Sequence, residues 1–168
     1  LEWARKGAGA GDINFPHQTR VEEIMDFAHR MGYKKLGLAF CIGLSKEAAI
    51  VSKIFRANGF QVESTCCKIG SVPKSMLGCA PEEGVMENGK MCHPIGQAET
   101  LDKGGCELNV ILGLCVGHDT LFLRHSKAPV TVLATKEWTC NHDALAPVRA
   151  SDGEFKRVYS FIPKEEQA

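Results

Sequence analysis

The chain alternates short apolar runs, which are typical of buried strands, with stripes of apolar residues at helical spacing. Four runs are predicted as strands: residues 35–40, 60–64, 107–114 and 129–134. The first of them is almost continuously apolar, as expected of a strand that is covered on both faces. Helices are predicted from Thr19 to Gly32, over 46–57, from Pro94 to Gly104 and, as a short segment, over about 120–125.

Strands that alternate with helices indicate a parallel sheet with helices on both faces. The predicted fold is therefore α/β: a three-layer, doubly wound, mostly parallel sheet of about four to five strands, similar to flavodoxin-like and Rossmann-like folds. Thr19 and Glu22 have the spacing of a capping box at the start of the first helix. We divide the chain into a flexible lead-in (1–18), a single α/β domain (19–160) and a tail (161–168).

With 168 residues, the chain is long enough for one domain with its own core. The 20 basic residues balance the 20 acidic ones, so the charge gives no indication of binding to nucleic acid or to an anionic membrane. The longest apolar run, around 110–116, is too short to cross a bilayer. Residues 1–6 lack the apolar segment of a secretory signal, and we expect a cytoplasmic protein.

The eight cysteines are the most unusual feature of the composition. Because several lie in apolar strand patterns of a chain expected in a reducing compartment, we favour metal binding or thiol chemistry over disulfides. Positions about 23 to 25 residues apart, roughly one βα unit, carry Cys41, Cys66 or Cys67, Cys92, Cys115 and Cys140. Most follow a predicted strand, so they should converge at the carboxyl edge of the sheet, where helix N-termini favour the thiolate that metals require.

The pattern only partly indicates which metal is bound. The chain has neither the Cys-x-x-Cys pairs of structural zinc sites nor the clustered cysteines of bacterial ferredoxins. We prefer an iron–sulfur cluster, and zinc held by a mixture of Cys and His is the second option. The predicted ligands are single cysteines from separate loops: Cys41, Cys67, Cys92 and Cys115, with Cys66 as an alternative beside Cys67. Cys79 and Cys106 are expected to pack as small hydrophobic residues.

A His–Asp pair follows one of these cysteines. His118 could be a ligand, a proton donor, or a base that the Asp119 carboxylate orients. The alternative is that Asp119 caps the following helix and His118 only packs. His93 and His142, each near a cysteine, are weaker candidates. No GxGxxG or phosphate-loop pattern is present, so nucleotide binding has little support.

Several segments resemble the domain-of-unknown-function 1847 family, whose members from anaerobic bacteria and archaea are often labelled metal-binding proteins. The matching segments are residues 20–24, 38–44, 66–72, 91–98, 114–122 and 126–131. The resemblance covers roughly 19–135 and implies site residues at Cys41, Cys67, Cys92 and Cys115, with Cys66 beside Cys67, and at His118 and Asp119. This chain lacks the cysteine-rich stretch that commonly precedes the family domain, and residues 140–142 match poorly.

Three functions remain open. The preferred one is a metal or iron–sulfur domain in redox or small-molecule chemistry of anaerobic metabolism, with His118 and Asp119 handling protons and the loop 68–90 acting as a lid. The second is a metal-free thiol or sulfur-transfer enzyme with Cys41, Cys67 or Cys115 as nucleophile. The third is a non-catalytic metal carrier within a larger protein. The expected partners are a redox partner or further domains of a longer chain, and neither nucleic acid nor a membrane.

Overall fold

The computed structural model describes residues 18–77 and 89–160. The strands are β1 (Lys35–Phe40), β2 (Gln61–Cys66), β3 (Leu108–Leu112) and β4 (Val130–Ala134). The α-helices are α1 (Arg20–Met31), α2 (Ser45–Ala57), α3 (Pro94–Lys103), α4 (Val116–His125) and the single turn α5 (Ala146–Arg149). Short 3₁₀ turns occupy Ile42–Leu44, Lys74–Leu77 and Lys156–Ser160.

The four strands form one parallel sheet in the order β2-β1-β3-β4. The chain moves from β1 outward to β2 and then returns to the other side of β1 for β3. This reversal makes the gap between β1 and β3 the switch point of a doubly wound sheet, where connections diverge to opposite faces. The predicted α/β class and parallel sheet are confirmed.

Two apolar clusters cover the two faces of the sheet. Leu38 contributes to the cluster that contains Phe55 of α2 and residues of α1. The next residue, Ala39, contributes to the cluster that contains Phe122 of α4 and residues of α3. Side chains alternate along a strand, so one continuous apolar run supplies both cores. Phe55 and Phe122 are fully buried, and truncating either to alanine would cost about 3–5 kcal/mol.

Helix α1 begins as its sequence predicts. The Glu22 carboxylate accepts hydrogen bonds from the backbone N–H and the hydroxyl of Thr19, both at 2.6 Å. This pairing satisfies a donor that the start of the helix leaves without a partner, and Gly32 ends the helix. The predicted capping box is therefore confirmed.

Three boundaries differ from the prediction. Strand β2 continues to Cys66, two residues beyond its predicted end. Helix α4 starts at Val116 rather than near Thr120, so Cys115 occupies the N-cap and Asp119 lies inside the first turn. The alternative in which Asp119 caps this helix is wrong; an acidic side chain in the first turn is instead favoured by the helix dipole. Strand β3 ends at Leu112, two residues before its predicted end. Residues 135–160 form turns and short helices.

Some predictions lie outside the described residues, namely the lead-in up to residue 17, Cys79 and the tail from 161. Within the described part of the chain, no helix is both long and apolar enough to span a lipid bilayer.

Candidate functional site

The ends of β1 and β2 bring Cys41 and Cys67 side by side at the carboxyl edge of the sheet. The backbone N–H of Cys41 donates to the carbonyl of Leu112 at 3.1 Å, and that of Cys67 donates to the carbonyl of Phe40 at 2.9 Å. Both bonds continue the parallel ladders one residue beyond the strands. Both side chains are buried in the cluster beneath α3 and α4. The sheet itself therefore holds these two thiols in place.

Cys92 and Cys115 reach the same edge from helix N-termini. Cys115 is the N-cap of α4. Cys92 lies two residues before α3 and packs against the cluster that contains Cys41 and Cys67. The next residue, His93, donates its backbone N–H to the Cys67 carbonyl at 2.8 Å, while its ring Nδ1 accepts from Gly96 at 3.0 Å. The ring of His93 thus caps α3, which accounts for this residue without a ligand role.

Two lysines that the sequence analysis missed lie among these thiols. The Lys136 Nζ is 3.0 Å from the Cys41 Sγ and 3.3 Å from the Cys115 Sγ. The Lys68 Nζ is 3.2 Å from the Cys92 Sγ. Both lysines come two residues after a strand, Lys136 after β4 and Lys68 after β2. The strand-end rule that selected the cysteines would have selected these lysines had it been applied to them.

Cys67 is the central thiol of the group. Its sulfur accepts a hydrogen bond from the backbone N–H of Ile42 at 3.4 Å, and the thiols of Cys41 and Cys92 lie close enough to affect its pKa. Burial raises the pKa of Cys67 to about 12, with a further contribution from the neighbouring thiols Cys92 and Cys41. The protonated form of Cys67 is therefore the favoured one.

Cys41 has the opposite electrostatic balance. Burial alone would raise the pKa of Cys41, but the hydrogen bond and the positive charge of Lys136, together with a hydrogen bond from the Gly43 backbone, hold it below its ordinary value. Of the two thiols, Cys41 is therefore the one whose ionised form the site favours.

Cys66 faces away from this group. It is in register with Phe40, whose side chain packs against the core beneath α1 and α2, whereas Cys67 belongs to the core on the other face. Its sulfur accepts a hydrogen bond from the Lys68 backbone N–H at 3.3 Å. Because successive residues on a strand point to opposite faces, Cys67 rather than Cys66 joins the other thiols.

His118 and Asp119 lie in the first turn of α4, next to the thiols. Burial lowers the pKa of His118, and the charges of Lys136 and Lys68 lower it further. Burial raises the pKa of Asp119 to about 6, an effect that Lys136 partly offsets. Neighbouring residues on a helix do not face each other, and within the described residues no hydrogen bond joins the two side chains. The buried Oδ1 of Asp119 has no partner there either.

The loop after β4 covers part of the site. Trp138 packs against the turn that follows Cys41, and a methyl group added at Gly43 would lie 2.8 Å from its ring. The Lys136 Nζ is 5.3 Å from the centroid of the Trp138 ring. His142 stacks on the same ring at 5.5 Å and accepts from the Glu137 backbone N–H at 3.2 Å, which gives it a structural part in this loop.

The donor atoms suit a thiolate-bound metal group, since Cys41, Cys67, Cys92 and Cys115 supply four soft sulfur donors from four segments. Among residues 18–77 and 89–160, no three Cys, His, Asp or Glu side chains are already arranged around a single ion. The ammonium group of Lys136 contacts the sulfurs of both Cys41 and Cys115, so these two thiols lie beside one cation.

Fold and site together define a cysteine-rich, doubly wound α/β domain with thiols and lysines at its carboxyl edge. The chain belongs to the DUF1847 family, described as proteins of unknown function, whose sequence model matches residues 2–133. It is also similar to the uncharacterized protein MJ0455 of Methanocaldococcus jannaschii, with 45% identity over 132 residues that cover 78% of this chain and 67% of the relative. Lys136 and Trp138 lie just beyond the family match.

Two solved structures are partly similar to the fold. Dph2 from Pyrococcus horikoshii with a 4Fe-4S cluster gives a TM-score of 0.44 at 14% identity, over 86% of this chain and 32% of that one. A second Dph2 structure from the same organism gives a TM-score of 0.45 at 14% identity. The chain spans about a third of each Dph2 chain. A likeness of this degree transfers neither a ligand nor an activity.

Proposed function

We propose that the domain binds an iron–sulfur cluster at the carboxyl edge of its sheet through Cys41, Cys67, Cys92 and Cys115, for redox or small-molecule chemistry. The observation that carries this proposal is the convergence of four thiols from four separate segments. Cys41 and Cys67 follow β1 and β2, and Cys92 and Cys115 precede α3 and α4. The first three thiols pack in one cluster, and Lys136 contacts the sulfurs of both Cys41 and Cys115. Thiolates are the usual ligands of such clusters.

The arrangement of the cysteines along the chain is the reason for preferring a cluster. Four separate segments each supply one thiol, and the chain has none of the Cys-x-x-Cys pairs that structural zinc sites use. When bound, the cluster would supply one-electron transfer or an iron centre for a substrate.

Ligand binding would change the protonation of the site. Cys67, whose pKa burial raises to about 12, would have to lose its proton to become a ligand. His118 and Asp119, both shifted toward their neutral forms, lie close enough to the lysines to feel their charges. We assign these two residues to proton transfer with a substrate at this edge, in separate roles because they do not pair.

The decisive experiment is metal and sulfide analysis of protein prepared without oxygen and reconstituted with iron and sulfide. We expect bound iron and sulfide and a broad absorbance near about 400 nm, as thiolate–iron centres show. The Cys67→Ser variant should hold roughly tenfold less iron than the parent protein, because it lacks the central ligand. Cys106→Ser is the matched control, since Cys106 is also buried but lies at the amino end of β3.

Three results would contradict the proposal. Protein that stays colourless and free of iron after reconstitution has no cluster site. If the protein binds zinc tightly instead of iron, and Cys67→Ser loses this zinc, the thiols form a site for a single metal ion. Equal iron retention by Cys67→Ser and Cys106→Ser would show that iron binds elsewhere.

A second candidate, a metal-free thiol enzyme, is favoured by one observation. Lys136 holds the pKa of Cys41 below its ordinary value and donates a hydrogen bond to its sulfur at 3.0 Å. An activated thiolate of this kind is suited to nucleophilic attack or sulfur transfer. If this candidate is right, Cys41 of the metal-free protein should be alkylated faster than Cys92, although only 6% of Cys41 is exposed. Alkylation of Cys41 no faster than that of Cys92 would count against the candidate.

A further inference from the structure

The lysines at the carboxyl edge have unusual partners. Lys136 donates to the sulfurs of Cys41 and Cys115, and Lys68 donates to that of Cys92. Two other lysines of the described chain form ion pairs with carboxylates, Lys35 with Glu63 and Lys103 with Glu99. Within residues 18–77 and 89–160, no ion pair joins Lys68 or Lys136 to a carboxylate. Their charge is therefore directed at sulfur.

Other contacts hold both ammonium groups in place. The Lys68 Nζ also donates to the carbonyl of Lys90 at 2.6 Å, which fixes it beside Cys92. Lys136 lies against Trp138, which in turn packs on the turn after Cys41. These contacts reduce the side-chain entropy that a long, flexible lysine would otherwise lose on forming a hydrogen bond. The ammonium groups are thus preorganised toward the sulfurs.

We propose that Lys136 and Lys68 are positioning residues that orient the cysteine ligands and balance their negative charge, with Lys136 contributing more because it contacts two sulfurs. This inference deepens the proposed function and rests on it. Four thiolates around a cluster carry net negative charge, and hydrogen bonds to their sulfurs and the nearby charge set its reduction potential. A cation stabilises the reduced, more negative form, so removing one makes reduction harder.

The first test measures the reduction potential of the cluster-loaded protein by voltammetry. Lys136→Met should lower the potential most and Lys68→Met should lower it less, while iron content stays close to that of the parent protein. Lys136→Arg keeps the charge and should restore most of the potential. Lys103→Met is the matched control, because this lysine is exposed at the far end of α3 and pairs with Glu99. Equal potentials in all four variants would overturn the inference.

The second test needs no cluster. In metal-free protein at a fixed pH, the rate of alkylation of Cys115 should fall roughly fivefold in Lys136→Met, because a charge-assisted hydrogen bond to the sulfur is lost. Lys103→Met should leave the rate unchanged, and mass spectrometry locates the label. An unchanged or faster rate contradicts the inference. If the parent protein binds no iron, the proposed function fails, and this rate alone decides the role of Lys136.

Discussion

The two edges of the sheet contain the same residue types but pair them differently. At the carboxyl edge, lysines donate to cysteine sulfurs. At the amino edge, Lys35 forms an ion pair with Glu63 at 3.6 Å, and Cys106 is buried without a lysine donor among the described hydrogen bonds. Burial raises the pKa of Cys106 to about 11. Composition alone therefore does not identify a site, whereas position relative to the strand ends does.

The pKa values of the carboxyl groups at the two edges are also shifted in opposite directions. Glu107, at the amino edge, accepts backbone N–H hydrogen bonds from Lys34 at 2.6 Å and Lys35 at 2.9 Å, which lower its pKa. Asp119, at the carboxyl edge, has its pKa raised to about 6 by burial. At the amino edge, the folded protein favours the ionised form of Glu107, which contributes to its stability. At the carboxyl edge, it disfavours the ionised form of Asp119.

The largest effect on stability is expected from matched glycine substitutions at the two edges. Gly113, after β3, and Gly105, before it, both have positive φ, 64° and 69°. An alanine methyl at 113 would overlap Cδ1 of buried Leu44, whereas at 105 nothing lies within 4 Å. We expect Gly113→Ala to lower the free energy of unfolding by about 3 kcal/mol and Gly105→Ala by about 1 kcal/mol. Urea denaturation measures both.

Adding Leu44→Ala to Gly113→Ala sharpens this prediction. If the overlap causes the difference, the two substitutions together should be less destabilising than the sum of their separate effects. Equal losses for the two glycine variants would show that the left-handed backbone, common to both sites, accounts for the whole effect.

The next effect in size concerns Asp119. Between about pH 4 and 6, the folded state holds a proton that the unfolded state has already lost, because the pKa of about 6 lies above the ordinary value of 3.8. The free energy of unfolding should therefore fall as pH rises through this window. Asp119→Asn should remove that slope and stabilise the protein by about 2 kcal/mol at pH 7. A slope that persists in Asp119→Asn would contradict this assignment.

The smallest effect is expected at Glu107, where the pH dependence has the opposite sign. Its pKa is lowered, so its contribution is present above the ordinary value of 4.5 and is lost as pH falls through the lowered pKa. Glu107→Gln should cost only about 0.5–1 kcal/mol at pH 7, since the exposed group is screened by solvent. The difference from the parent should shrink as pH falls below the ordinary carboxyl pKa of 4.5. Glu99→Gln, at an exposed ion pair, is the control and should change little.

Most of the fold was predictable because its signals are local. The apolar runs of β1 and β3 are buried on both faces, and the capping box of Thr19 and Glu22 fixes the start of α1. The start of α4 was missed because its first turn, from Val116, is exposed at Val116 and Gly117 and lacks an apolar pattern. A helix start that depends on backbone geometry at Cys115 leaves no periodic signal.

The site was predictable only where one rule sufficed. Strand ends converge at one edge, so Cys41 and Cys67 could be placed together from the sequence, and the resemblance supported the same residues. The same rule places Lys136 at this edge, but its contact with Cys41, 95 positions away, is a side-chain pairing that no local pattern encodes. The choice of Cys67 over Cys66 depends on which face of β2 each side chain occupies, and the adjacent pair left that choice open. The residues that hold the metal group, if one binds, remain a prediction.

The order of the strands has a consequence for how the thiols come together in time. Cys67 and Cys115 follow the two strands that flank β1, so all the sulfurs meet only after β1 has paired with both β2 and β3. These pairings are between distant parts of the chain, and such contacts form late in folding. The four thiols span residues 41–115, so they converge only when the sheet has formed. The order of the strands therefore couples the assembly of the site to the assembly of the sheet.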